Sequence, residues 1–129
     1  MQRSNLKWIG RGLVKAPRAP SVPARKVLET PVDGNIRVFR DGPGTPVFVF
    51  HPAGGSSSVY APLARRLDDD VPVYGVERLE GSLEERAEAY LEDIEQLSAG
   101  RPVVLAGWSF GGALAYEVAQ RLGDDKVAF

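Results

Sequence analysis

The residues best suited to chemistry lie in two glycine-rich loops. Gly107-Trp108-Ser109-Phe110-Gly111-Gly112 follows the apolar run at residues 103–106 and precedes a helical pattern at residues 112–122. A serine flanked by glycines at this spacing, where a strand turns into a helix, fits a nucleophile held out on a sharp turn. Such a turn brings backbone and helix atoms so close that side chains at positions 107 and 111 would clash. Gly107 and Gly111 avoid this, and Gly112 relieves the crowding further. The helix that begins there turns free N–H groups and the positive end of its dipole toward developing negative charge. A plain glycine-rich strand–helix turn, as in a nucleotide site, is the alternative. No G-x-x-x-x-G-K-[ST] occurs in the chain to support phosphate binding.

The second loop, His51-Pro52-Ala53-Gly54-Gly55-Ser56-Ser57, follows the apolar run Val47–Phe50. Acyl transfer through a serine needs two backbone N–H donors for the tetrahedral oxyanion. One is expected from Phe110, the residue after the serine, and the other from a loop after an earlier strand. Ala53 is the natural donor in that loop, because Pro52 has no N–H and Gly54-Gly55 let the backbone turn inward. The bland alternative is an ordinary glycine loop. His51, the single histidine, lies 58 positions before Ser109. With a serine on a strand–helix turn, the acid and then the histidine follow it in the chain, which argues against a base role for His51. Asp124 and Asp125 read as surface turn residues, so this chain offers no candidate for a triad acid or base.

The elements that must position these loops alternate. Residues 36–40 alternate apolar and polar like a half-buried strand, and Val47–Phe50, residues 71–76 and residues 103–106 read as buried strands. A short helix is expected over residues 58–67, with Pro62 near its first turn. Ser82-Leu83-Glu84-Glu85 is a capping box. Leu83, Ala87, Tyr90, Leu91, Ile94 and Leu97 then recur at helical spacing. Glu84, Glu85, Glu88, Glu92 and Glu95 read as a solvated face, not as paired catalytic carboxylates. Residues 126–129 begin a further strand. The alternation implies a parallel sheet with chemistry beyond the carboxyl ends of its strands.

Composition excludes several classes. The 129 residues contain no Cys and one His. A disulfide scaffold, thiolate zinc, a cysteine nucleophile and a multi-histidine metal site are therefore not expected. No apolar run is long enough for a membrane span. Charge divides the chain: residues 1–40 carry +7 and residues 41–129 carry −8. Residues 1–34, with Pro17, Pro20 and Pro23, read as an extended, disordered linker or tail. A transit peptide and a nucleic-acid arm are weaker alternatives, and no nucleic-acid partner is expected. Residues 35–129 form the folded part.

Three blocks, at residues 47–67 (VFVFHPAGGSSSVYAPLARRL), 73–87 (VYGVERLEGSLEERA) and 103–117 (VVLAGWSFGGALAYE), together resemble type I thioesterase domains. These are the terminal α/β-hydrolase domains of polyketide and non-ribosomal peptide synthases. The likeness is nearest to the thioesterase of the polyketide synthase that condenses mycolic acid precursors. The resemblance implies an α/β-hydrolase fold, a mostly parallel sheet with helices on both faces, cut short after the helix that follows the serine turn. It implies a cytoplasmic enzyme without bound cofactor or metal. An acyl chain would arrive as a thioester on the phosphopantetheine arm of a carrier protein or domain. Ser109 would attack it, Ala53 and Phe110 would hold the oxyanion, and the acyl-serine would pass to water, an internal nucleophile or a sugar. An inactive remnant or carrier-docking module, and another serine carboxylesterase or lipase, are the competing readings.

Overall fold

The computed structural model describes residues 35–129. The linker or tail read over residues 1–34 lies outside the described residues. The sheet contains β1 (Ile36–Arg40), β2 (Val47–Phe50), β3 (Val73–Val76) and β4 (Val104–Gly107), in the order β1-β3-β2-β4. β3, β2 and β4 run parallel, whereas β1 pairs antiparallel with the outer edge of β3. The sheet is thus mixed at that edge, a feature that an alternating pattern at residues 36–40 does not specify.

Alternation along the strands makes two apolar faces. Phe48, Phe50, Tyr74 and Val76 pack with Ala87, Tyr90 and Ile94 of α2 (Leu83–Ser98) and with Leu114 and Val118 of α3 (Phe110–Leu122). Phe39, Val49 and Val73 pack on the opposite face against Ala61 and Ala64 of α1 (Ala61–Arg66). Helices therefore cover both faces. On α2 the capping box is complete: the Glu85 N–H donates to Ser82 Oγ at 3.0 Å, and the Ser82 N–H donates to Glu85 Oε1 at 2.9 Å. The helix ends where Ala99 enters the left-handed region at φ 53°. The Arg101 guanidinium then donates to the carbonyls of Leu97 and Ser98 and, at 2.8 Å, to that of Gly44. One side chain thus closes the end of α2 and ties it to the turn between β1 and β2.

Several boundaries differ from the sequence reading. The helix expected over residues 58–67 is a 3-10 turn (Ser57–Tyr60) followed by α1, with Pro62 in the first turn. β3 starts at Val73, because the Val71 N–H closes a turn onto the Asp68 carbonyl and Pro72 has no N–H. β4 is only half-buried rather than fully buried. It is the last regular strand at its edge, and an apolar run does not distinguish edge from centre. The strand expected at residues 126–129 is a 3-10 turn (Asp124–Lys126) with a single parallel bridge, Val127 to Val103. Residues after the bridge still follow β4: the Ala128 N–H donates to the Val103 carbonyl and the Leu105 N–H to that of Phe129.

The burial pattern yields a stability contrast. Ile94 is fully buried and Leu63 is 42% exposed. Ile94→Ala is expected to cost about 2–5 kcal/mol and Leu63→Ala under about 0.5 kcal/mol, read from urea midpoints at constant m-value.

Candidate functional site

The two glycine-rich loops meet because their strands are neighbours. Phe50, the last residue of β2, pairs with Gly107, the last residue of β4. The chain beyond Phe50 becomes the His51–Ser57 loop, and the chain beyond Gly107 becomes the Ser109 turn. Both leave the sheet at the carboxyl ends of parallel strands, where such folds place their chemistry.

Ser109 is exposed and adopts φ 61°, ψ −127°. A non-glycine residue there carries strain of about 1–3 kcal/mol, held in place only by its surroundings. Those surroundings are close-packed backbone. A Cβ on Gly107 would overlap the Gly111 carbonyl group and lie 2.7 Å from the Gly112 nitrogen. A Cβ on Gly111 would overlap the Phe50 carbonyl oxygen and lie 2.9 Å from that of His51. At Gly112 the nearest atom would be the Gly107 oxygen at 3.2 Å, a tight but smaller conflict. The turn closes at once, with the Gly111 N–H donating to the Trp108 carbonyl and the Gly112 N–H to that of Ser109. For this reason α3 begins at Phe110, two residues earlier than the sequence pattern suggests.

Phe110 is the first residue of α3, and Ala53 lies exposed in the other loop. Among the described residues no hydrogen bond occupies either N–H. The Ala53 carbonyl accepts from Arg78 Nη1 at 3.4 Å. His51 is fully buried, its Nδ1–H donating to the Pro52 carbonyl at 2.7 Å, with its ring 6.0 Å from that of Phe110. Its Nε2 has no partner among the described residues. Asp124 and Asp125 are exposed in the turn after α3. Among the described residues no cluster of three or more His, Cys, Asp or Glu could hold a metal ion.

Two further residues join this site that motif spacing does not reveal. Glu77, just beyond β3, accepts from the Ser57 N–H at 3.0 Å and the Ser57 hydroxyl at 2.6 Å. It also accepts from Arg37 Nε at 2.7 Å. The C-terminal end of the Ala53 loop is thereby fixed to β3 and β1. Burial alone would raise the Glu77 carboxyl, but the bonds from Ser57 and Arg37 outweigh it and hold the group below its ordinary value. Tyr60 is the second: its hydroxyl donates to the Phe50 carbonyl and accepts from the Trp108 N–H. A lone acid at the carboxyl end of a buried strand was a usable signal for Glu77. Tyr60 reads only as a helix residue.

A strained, exposed serine at a strand–helix turn, beyond the carboxyl ends of a mostly parallel sheet covered on both faces, defines a serine α/β-hydrolase fold. More narrowly, the chain belongs to the thioesterase domain family, whose model matches residues 45–128. Among similar curated proteins is the nonribosomal peptide synthetase btyA of Aspergillus terreus. It is 39% identical over 99 residues, covering 68% of this chain and 11% of that protein. The solved NocB thioesterase domain from the nocardicin cluster has a TM-score of 0.61 at 26% identity, over 70% of this chain and 44% of its own. That domain is also known in covalent complex with a fluorophosphonate nocardicin G analog. SrfTE, the thioesterase domain that cyclises the lipopeptide surfactin, has a TM-score of 0.59 at 26% identity, over 69% of this chain and 37% of its own. The chain thus spans about a tenth of btyA and less than half of either thioesterase structure.

Two predictions follow from this geometry. Gly111→Ala is expected to disrupt the turn and lower the urea midpoint strongly, since it meets fixed backbone; Gly112→Ala is expected to be much milder. Because the folded Glu77 carboxyl sits below 4.5, its contribution is present above that pH and is lost as pH falls through the folded value. The stability gap between wild type and Glu77→Gln is therefore expected to be largest near neutrality and to shrink below pH 4.5.

Proposed function

We propose that the serine at this site carries out acyl transfer from a thioester. The Ser109 hydroxyl oxygen attacks the thioester carbonyl and gives up its proton to a base. The tetrahedral oxyanion is held by the N–H groups of Ala53 and Phe110. Collapse breaks the carbon–sulfur bond, the thiolate takes up the proton, and an acyl-serine is left. Water or another hydroxyl or amine nucleophile then releases the acyl chain by the reverse sequence. The observation that carries this reading is the exposed Ser109 at φ 61°, at the start of α3 and beside the loop that bears Ala53.

The base is not His51, whose ring is buried and bonded to the Pro52 carbonyl. A histidine oriented by a carboxylate, as the family resemblance implies, would come from polypeptide beyond the described residues. The thiol leaving group fits the phosphopantetheine arm of a carrier protein or domain. This agrees with a chain that resembles segments of nonribosomal peptide synthetases. No helix among the described residues is long and apolar enough to cross a membrane.

The test is labelling of the intact native protein with an alkyl fluorophosphonate, followed by peptide mapping. Labelling of Ser109 in wild type, and its loss in Ser109→Ala with the fold retained, is the expected outcome. Folded wild-type protein that takes up no label would favour a carrier-docking module without catalysis. Faster turnover of an oxygen ester than of the matched thioester would favour a carboxylesterase.

A further inference from the structure

The Tyr60 hydroxyl occupies a position that the acyl-transfer reading does not use. The β2–β4 ladder ends at Phe50 and Gly107, and beyond it the two chains part into the Ala53 loop and the Ser109 turn. Across that parting Tyr60 adds one side-chain rung. Its hydroxyl donates to the Phe50 carbonyl at 2.7 Å and accepts from the Trp108 N–H at 2.8 Å. A hydroxyl has one hydrogen and two lone pairs, so it can serve both partners at once. The ring is anchored, packing against the cluster of Phe39, Val49, Ala61, Ala64 and Val73. Tyr60 ends the 3-10 turn that begins at Ser57, and Ser57 is itself held by Glu77.

The bridged atoms sit close to the chemistry on each side, with Phe50 three residues before Ala53 and Trp108 next to Ser109. Phe50 directly precedes His51 and the Ala53 loop, and Trp108 directly precedes Ser109. Strained backbone persists only where several contacts over-determine it. The glycine contacts and the Gly111 N–H bond to the Trp108 carbonyl tie the two sides of the Ser109 turn to each other. The Trp108 N–H bond to Tyr60 ties that turn to the segment after the Ala53 loop.

We propose that Tyr60 is a positioning residue for the acyl-transfer reaction. Its hydroxyl sets the separation between the two loops that present the oxyanion donors and holds Ser109 in its attacking conformation. The proposal rests on the reading of Ser109 as nucleophile. Tyr60 touches neither substrate nor the reacting atoms and acts only through Phe50 and Trp108.

Tyr60→Phe keeps the ring and removes the bridge. In the intact native protein, active sites are titrated by fluorophosphonate and turnover is measured on a simple acyl thioester of N-acetylcysteamine. Misplacing a reacting group by about 1 Å costs up to about 100-fold. The expected result is a kcat per titrated site lower by about 10- to 100-fold, with KM within about twofold of wild type, and a labelling rate that falls in parallel. A merely structural role would lower the urea midpoint and the fraction of active protein, yet leave kcat per titrated site and the labelling rate unchanged. That outcome overturns the proposal. Hydrogen exchange at the Trp108 amide gives an arm independent of turnover. Faster exchange in Tyr60→Phe supports the bridge, and equal exchange overturns it. Ser109→Ala separates the two readings. If it retains turnover and labelling, the nucleophile assignment fails and Tyr60 has no reaction to position. If it abolishes both while Tyr60→Phe behaves as wild type, only the proposal for Tyr60 fails.

Discussion

A side chain forced into a positive-φ backbone at Ser109 is the constraint on which the site depends. Glycine would adopt that conformation at little cost, but glycine has no hydroxyl. The strain therefore falls on a residue that carries a hydroxyl, and the neighbours supply the space. Gly107 and Gly111 are small because backbone from α3, from β2 and from His51 fills the volume where their Cβ atoms would lie. The same crowding starts α3 immediately after the serine and leaves its first N–H free of an intrahelical partner.

Strain of this kind needs opposing supports, and the molecule provides them from both faces of the sheet. On one side the α3 contacts press the turn against the end of β2. On the other, the segment after the Ala53 loop is held by Arg37, Glu77 and Ser57, and by the hydroxyl of Tyr60. Glu77 can stay charged in a largely buried setting because each hydrogen bond to its carboxylate comes from a donor of Ser57 or Arg37. The Ala53 loop is glycine-rich at its tip and firmly held at its base.

The serine turn was legible in the sequence because steric exclusion acts between near neighbours. Gly107, Ser109 and Gly111 constrain one another within five residues, so spacing alone carries the signal. The capping box at Ser82 and Glu85 was legible for the same reason. The position of Glu77 after a buried strand was a usable signal, but its partners and those of Tyr60 were not legible, since they are remote: Trp108 is 48 positions from Tyr60, and Arg37 is 40 from Glu77. The direction of β1 was hidden too. Alternation at residues 36–40 reports a half-buried strand but says nothing about its orientation against β3. The half-exposure of β4 was missed because Val104, Leu105 and Ala106 look alike in a central or an edge strand.

The pairing of β2 with β4 has a kinetic consequence. Val47 meets Val104 across 57 positions, with α1, β3 and α2 lying between them in the chain. Contacts this distant in sequence form slowly, because the entropy of closing the loop is lost before the contacts reward it. The helical elements between them can form on local signals well before that closure. Only when β4 docks beside β2 does the Phe50 carbonyl reach Gly111 and Tyr60 reach Trp108. The tension at Ser109 is thus a late product of folding, and during synthesis the turn stays slack until the sheet around it is complete.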